Sequence, residues 1–191
     1  WVRFWDTAST EKKPDNEPDF TAGALIGRSP QGQYYIADMR RWREDPAQMD
    51  LMLKATAYFD TVRVPIRMEQ EPAAGGKIAI HHFRTVCFDR FDFVGIPAVS
   101  KGSKTMAASP VASQADAGNV YMVEGDWNEE FLDEVEIFPD GLHDDQVDAM
   151  SGAFRILARS AIFGLKLGTA NDPFVHEDSG WRPDATPHFT Y

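Results

Sequence analysis

Residues 1–8 read Trp-Val-Arg-Phe-Trp-Asp-Thr-Ala, and the interpretation of the whole chain starts from this stretch. Its aromatic and β-branched residues favour a β-strand, with Asp6 late in it. A buried carboxylate after an apolar aromatic strand is costly unless a cation or a hydrogen-bonding partner lies nearby. The stretch therefore predicts a first strand that carries a chemically significant acid at its end.

The hydrophobic pattern beyond this strand predicts a mixed α/β fold, with a central sheet flanked by helices. Strands at 20–27 and 33–39, joined by a turn at 29–32, form an antiparallel meander with the first strand. Asp45 and Pro46 provide the N-cap and first residue of a helix. Further strands are predicted at 61–68, 93–97 and 119–123, and further helices at 77–83, 103–114, 127–138 and 144–163. Residues 9–19 are predicted to form a flexible loop and residues 73–76 a turn.

The length and composition are those of one globular domain. The chain has 191 residues and is 43% hydrophobic, which is enough to bury a substantial core. We expect the domain to span residues 1–168, with an extended or poorly ordered tail at 169–191. The single cysteine, Cys87, lies in an apolar stretch and is expected to be a buried thiol of an intracellular protein. Because the sequence starts within a strand, we interpret it as part of a longer polypeptide.

The net charge of −11 argues against a protein whose main role is to bind nucleic acid. DNA affinity depends largely on Lys and Arg side chains that neutralise phosphates. Carboxylates that bind metal ions contribute negative charge only until the ions arrive, and a partner domain can hold the DNA. A DNA-acting enzyme with this charge is therefore expected to depend on metals and on a partner.

Acidic residues occur at the ends of several predicted elements. Asp6 ends the first strand, Glu69 follows a later strand, and Asp144, Asp145 and Asp148 lie at the start of the last helix. Each acid alone is more often a turn former or a helix cap. Together they suit a two-metal phosphodiesterase, in which carboxylates hold two Mg²⁺ or Mn²⁺ ions about 3.5–4 Å apart.

Short motifs that contain these acids occur in a fixed order. They are residues 3–8, 19–23, 68–72 with 75–77, Lys104, 118–120 and 138–149, the last reading Phe-Pro-Asp-Gly-Leu-His-Asp-Asp-Gln-Val-Asp-Ala. As an ordered set they resemble the C-terminal nuclease domain of large terminase subunits of tailed phages and prophages. The resemblance covers residues 3 to 150, and its last motif is the most specific.

The resemblance implies a ribonuclease H-like fold and an endonuclease that cuts concatemeric viral DNA with two divalent metals. It implies that Asp6, Glu69 and Asp145 are catalytic metal ligands. Asp144 and Asp148 compete for the third position, and Glu71 competes with Glu69.

The partners that the resemblance implies are double-stranded DNA, an N-terminal ATPase domain, a portal and a small terminase subunit, in the host cell cytoplasm. The chain has no Gly-x-x-x-x-Gly-Lys-Ser/Thr loop, so no ATPase is expected within it.

The basic residues provide candidate contacts to DNA. Lys104 is expected to contact a phosphate or to orient the attacking water, and His143 assists only by adjacency to the acids. Solvated surface charge is the competing interpretation for Arg40 and Arg41. The full set of predicted DNA contacts is Lys77, Lys101, Lys104, Arg40 and Arg41.

Two other functions are compatible with these residues. One is another ribonuclease H-like nuclease, such as a junction resolvase or a transposase core. The other is a catalytically inert, acidic interaction module for phage assembly. Metal dependence separates the inert module from both enzymes.

Overall fold

In the part of the chain that the structure describes, six strands form one mixed sheet, and five helices pack on its two faces. The computed structural model describes residues 1–8, 19–98 and 104–163, with side chains as far as residue 160. The strands are β1 (Val2–Asp6), β2 (Thr21–Arg28), β3 (Tyr34–Trp42), β4 (Ile66–Gln70), β5 (Phe93–Pro97) and β6 (Val120–Met122). The helices are α1 (Pro46–Asp60), α2 (Ala73–Val86), α3 (Lys104–Asp116), α4 (Asn128–Ile137) and α5 (Asp145–Phe163).

The order of these elements confirms the predicted order, with two local corrections. The predicted turn at 73–76 is the first turn of α2. Gly76 is needed there because a Cβ atom would lie 2.0 Å from the Glu71 carbonyl oxygen, so helix and loop approach closely. Glu69 lies within β4 rather than after it, since the strand begins only after Pro65. The predicted tail and most of the loop at 9–19 fall outside the described residues.

The sheet has the strand order β5-β4-β1-β2-β3-β6. β1, β2 and β3 form the predicted antiparallel meander, whereas β4 pairs with β1 in parallel and β5 pairs with β4 in parallel. β1 is therefore an inner strand, between β2 and β4. Its end and the end of β4 point to the same edge of the sheet.

Side chains alternate between the two faces of the sheet and create two cores. Val2 and Phe4 of β1 join a core beneath α3, α4 and α5. Trp5 points the other way, into a core beneath α1 and α2 that contains Leu53. Cys87 also lies in this second core and is fully buried, as predicted.

Within the described residues, no helix combines the length and apolar character needed to cross a membrane.

Helix α5 lies unusually close to strand β1. A Cβ atom at Gly152 would lie 2.3 Å from the Phe4 ring, a distance that no real side chain tolerates. Any larger residue at this position would push the helix away from the strand. Gly152 therefore sets the distance between helix α5 and strand β1.

A buried arginine of β1 links this strand to helix α1 and to strands β2 and β3. Arg3 has no exposed side-chain area, and its guanidinium donates to both carboxylate oxygens of Asp60, at 2.6 and 2.8 Å. The same group donates to Asp38 Oδ2 at 2.7 Å and to the Gly23 carbonyl oxygen at 2.9 Å. Because Asp60 ends α1, this network fixes the helix to three adjacent strands.

Candidate active site

Asp6 and Glu69 lie side by side on neighbouring strands. The parallel register pairs Trp5 with Met68, so the next residue on each strand is one of the two acids. Asp6 lies on the same face as Phe4, because side chains two positions apart share a face. That face is covered by α5. Two carboxylates from distant parts of the sequence therefore meet beneath one helix.

The close seating of α5 brings a third carboxylate to this position. Phe4 packs on Gly152; Asp6 lies two residues further along β1, and Asp148 lies one helical turn before Gly152. Two strand residues span roughly 6.6 Å and four helical residues about 6 Å, so Asp6 and Asp148 lie at similar distances from the contact of Phe4 with Gly152. The charge of Asp148 accordingly raises the pKa of Asp6.

Electrostatics show that these acids form one cluster. Burial raises the pKa of Asp6 to about 8, and the charges of Glu69, Asp148 and Asp145 add to the rise, in that order. Burial also raises the pKa of Asp148 to about 6, although Lys104 acts in the opposite direction. Like charges confined in a partly buried space disfavour ionisation of one another. The cluster is therefore short of positive charge.

The pKa values of Glu69 and Asp145 are also raised, but near each acid a neighbouring group opposes the rise. Burial raises the pKa of Glu69, and the charge of Arg155 opposes this rise. Burial raises the pKa of Asp145, and a hydrogen bond from the Phe20 backbone N–H opposes it. That N–H lies 3.2 Å from Asp145 Oδ2. Each acid thus has at least one partner that favours its charged form.

Lys104 connects the start of α3 to the start of α5. Its ammonium lies 2.5 Å from Asp144 Oδ1 and 3.5 Å from Asp148 Oδ2. Burial lowers the pKa of Lys104, but the hydrogen bond to Asp144 and the charge of Asp148 outweigh it, so the pKa rises. About half of the side chain remains exposed, at 56%. Lys104 therefore compensates part of the negative charge of the cluster while still facing solvent.

Asp145 belongs to a second group as well. Asp19, His143 and Asp145 place one potential ligand atom each within 4.8 Å of one another. Arg43 Nη2 lies 3.3 Å from His143 Nε2, and because a guanidinium only donates, this nitrogen of His143 accepts. The other ring nitrogen, Nδ1, lies 3.9 Å from Asp145 Oδ2. His143 therefore borders Asp145 directly.

Glu71 lies at the rim of the cluster rather than within it. It is exposed just after β4, and its negative charge contributes to the rise in the pKa of Glu69. It also lines an open cleft of about 1190 Å³ on the α1 and α2 side, together with Thr7, Ala8 and Asp19. The cleft therefore borders the acidic end of the sheet.

The predicted DNA contacts fall into different environments. Arg41 is only 14% exposed because it pairs with Glu130 and Glu134, so little of its side chain is available to DNA. Arg40 pairs with Asp38 at 2.9 Å and is 36% exposed. Lys77 is exposed on α2, across the sheet from α5. Lys101 lies outside the described residues.

Four residues near the acids were not predicted from the sequence. Arg155 lies seven residues after Asp148, a spacing that places both on one helical face and could have indicated it. The other three act through contacts between distant segments; two of them lie in the motif at 19–23, but no local pattern predicts their contacts. They are Asp19, Phe20 and Glu134.

The raised pKa values predict a pH-dependent stability in the absence of metal. For Asp6 and Asp148 the folded pKa, about 8 and about 6, exceeds the ordinary value of 3.8. Their contribution to stability is fully present below pH 3.8 and is lost as pH rises through 6 and 8. We expect the melting temperature in EDTA to fall by about 3–5 °C between about pH 5 and pH 8.5.

Differential scanning fluorimetry measures this fall directly. In Asp6→Asn, which lacks the group with the highest pKa in the cluster, the fall should be smaller. A melting temperature that stays constant or rises over this range in the wild-type protein would contradict the described electrostatics.

Comparisons with known proteins concern the family and the fold of the chain. The sequence profile of the terminase RNaseH-like domain matches residues 3–155. No curated protein sequence matched the chain significantly.

Two solved structures are similar in fold. The large terminase nuclease from thermophilic phage G20c has a TM-score of 0.54 and 15% identity, over 81% of this chain and 80% of that chain. The yeast mitochondrial Holliday junction resolvase Ydc2 has a TM-score of 0.51 and 15% identity, over 85% and 82%. At this identity the similarity to these structures concerns the fold alone. The match to the terminase RNaseH-like domain profile confirms the predicted ribonuclease H-like class.

Proposed function

We propose, from the premise that this chain belongs to the terminase RNaseH-like domain family, that it is a divalent-metal-dependent endonuclease. Its substrate would be concatemeric viral DNA, cut during genome packaging. The observation that carries the proposal is the convergence of carboxylates from β1, β4 and α5 at one end of the sheet. Fold alone does not establish activity, whereas this acidic cluster provides the chemistry for phosphodiester hydrolysis.

The oxygen ligands of the cluster suit Mg²⁺ or Mn²⁺, and the proposal is that two such ions bind. These ions prefer oxygen ligands, and the cluster offers the carboxylates of Asp6, Glu69, Asp145 and Asp148. The pKa of Asp6, raised to about 8, indicates that the carboxylates lack compensating positive charge. A bound divalent cation would supply the charge that makes water acidic and stabilises the departing oxygen.

The residues of the chain have distinct parts in this proposal. Asp6 and Glu69 would bind cations from the sheet, and Asp145 and Asp148 from the helix. Lys104 holds Asp144 and Asp148 in place, and its exposed ammonium is the best placed basic group to contact a phosphate.

The DNA itself would be held largely by other parts of the packaging machinery. With a net charge of −11, the chain has little capacity for phosphate neutralisation, so its own affinity for DNA should be weak. Lys77, which is exposed, and Arg40, which is partly buried, are the remaining candidates for DNA contacts among the described residues. An ATPase domain, a portal and a small terminase subunit are the proposed partners, acting in the host cell cytoplasm.

Plasmid cleavage in Mn²⁺ or Mg²⁺, compared with EDTA, tests the proposed function. We expect nicked and linear products in either or both metals and none in EDTA. A second measurement is the melting temperature, which should rise with Mn²⁺ because the ion binds the folded state. No cleavage in either metal, with no rise in melting temperature, would favour an inert interaction module.

Junction resolution is the alternative reaction, because the yeast resolvase shares the fold. A four-way DNA junction and a linear duplex of the same sequence distinguish the two reactions. Comparable cleavage of both substrates supports the terminase assignment. Cleavage restricted to the junction would replace it.

Replacing Asp144, Asp145 and Asp148 one at a time should rank the contributions of the acids at the start of α5. We expect Asp148→Asn and Asp145→Asn each to lower the cleavage rate at least about 100-fold, the usual effect of losing one electrostatic stabiliser. Asp144→Asn should cost only about 10-fold, because Asp144 is paired with Lys104 and acts through it. Rates at saturating Mn²⁺ measure this ranking, and a larger loss in Asp144→Asn than in the other two variants would reverse it.

A further inference from the structure

The first turn of α5 is held in place by a carboxylate from another helix. Glu134 of α4 is buried, and its Oε1 accepts hydrogen bonds from the backbone N–H groups of Gln146 and Val147, at 2.7 and 3.1 Å. Its Oε2 accepts from the Gln146 side chain at 2.8 Å. The first backbone N–H groups of a helix have no partner within the helix, and a negative charge there is favourable. Glu134 therefore fixes the turn that carries Asp145.

An aromatic ring holds the same turn from the other side. The Phe20 ring lies between two guanidinium groups, with Arg41 at 3.7 Å and Arg43 at 3.8 Å from its centroid. Its edge meets the His143 ring at 5.0 Å. Cation–π attraction on both ring faces restricts the position of Phe20, whose backbone N–H donates to Asp145.

Arg41 connects the two supports. Its guanidinium pairs with Glu130, and its Nε lies 3.7 Å from Glu134 Oε2. Arg43 connects the ring to His143, which borders Asp145. The guanidinium groups are thus committed to contacts within the domain.

We propose that Phe20, Arg41, Arg43 and Glu134 form a clamp that positions the carboxylate of Asp145 for cation binding. The inference rests on the proposed function, since it concerns the same acidic cluster. None of the four is a catalytic residue; each is a positioning residue that acts through Asp145. Arg41, predicted from the sequence to contact DNA, is assigned here to the clamp. Residues that orient metal ligands typically change metal affinity 10–100-fold when they are replaced.

Two pairs of variants test the clamp. Phe20→Leu removes both π faces, whereas Phe20→Tyr keeps the ring. Arg41→Gln removes one guanidinium from the clamp, whereas Arg28→Gln makes the same change of charge at the end of β2, where Arg28 lies over Tyr34. Mn²⁺ affinity is measured by titration calorimetry, and kcat and KM for a linear duplex are measured at saturating Mn²⁺. Circular dichroism and melting temperature show whether each variant folds.

We expect Phe20→Leu and Arg41→Gln to weaken Mn²⁺ binding at least about 10-fold, with KM for DNA within about 2-fold of wild type. Phe20→Tyr and Arg28→Gln should bind Mn²⁺ as the wild-type protein does. Unchanged Mn²⁺ affinity in folded Phe20→Leu would overturn the clamp. An increased KM for DNA with unchanged Mn²⁺ affinity in Arg41→Gln would overturn it too, because that result identifies a DNA contact.

Failure of the proposed function gives a different result. If the wild-type protein binds Mn²⁺ but cleaves no DNA, the endonuclease proposal fails, and the calorimetric comparison still decides the clamp. If the wild-type protein binds no Mn²⁺, both proposals are overturned. If it cleaves DNA and all four variants bind Mn²⁺ equally, only the clamp is overturned.

Discussion

Asp6→Asn should abolish most DNA cleavage and at the same time make the metal-free protein more stable. The amide keeps the shape of the side chain but has no charge to offer a cation, so we expect a rate loss on the order of 1000-fold. The same change removes a partly buried carboxylate whose pKa is raised to about 8 by burial and by its acidic neighbours. Above that pH the wild-type cluster is fully charged and repulsive, whereas the variant is relieved of one charge.

Cleavage rates at saturating Mn²⁺ and melting temperatures in EDTA near pH 8.5 measure the two effects. We expect the variant to melt about 3 °C or more above the wild-type protein in EDTA, and to gain less from added Mn²⁺. Glu129→Gln, an equivalent change at an exposed position in the first turn of α4, is the matched control and should change neither quantity. Loss of cleavage together with a lower melting temperature would point to a folding defect instead of a lost ligand.

Asp60→Ala should produce a large loss of stability, although Asp60 lies outside the acidic cluster. Arg3 has no exposed side-chain area, and Asp60 accepts two of its hydrogen bonds at 2.6 and 2.8 Å. Removing one partner of a buried ion pair leaves the other charge without compensation, which costs about 3–5 kcal/mol. Asp38 remains in contact with Arg3, so the lower part of this range is expected.

Urea denaturation in EDTA gives the free energy of unfolding for this comparison. The double variant Arg3→Met with Asp60→Leu is the control, because replacing a whole buried pair by apolar side chains is far less costly than breaking it. We therefore expect the double variant to be more stable than Asp60→Ala. Equal or greater destabilisation of the double variant would show that the packing of α1, and not the unpaired charge, accounts for the effect.

The fold was largely predictable because its elements have strong local patterns. The aromatic strand at 1–8, the turn at 29–32 and the cap at Asp45 each indicate one structure over a few residues. Residues 73–76 were predicted wrongly, since two adjacent glycines usually mark a turn. Here Gly76 allows the close contact between α2 and the Glu71 backbone, which is a tertiary property.

The acidic cluster was predictable only in part. Asp6 and Glu69 lie on strands, and strand order brings them together. Which acid of α5 faces Asp6 depends on how closely the helix approaches the sheet, and that distance is set by the contact of Gly152 with Phe4. The position of Glu134 beneath the first turn of α5 depends on the packing of two helices. No local pattern in the sequence contains these distances.

The separation of the acids along the chain has a consequence for biosynthesis. A ribosome synthesises Asp6 first and Glu69 sixty-three residues later, and Asp145 and Asp148 of α5 follow after a further seventy-six and seventy-nine residues. Chains begin to fold from the N-terminal side during synthesis. On the proposed function, a nascent or truncated chain that ends before α5 would carry two carboxylates but no helix to close the cluster. The host's DNA would thus meet a competent nuclease only after nearly the whole domain had been translated and α5 had docked.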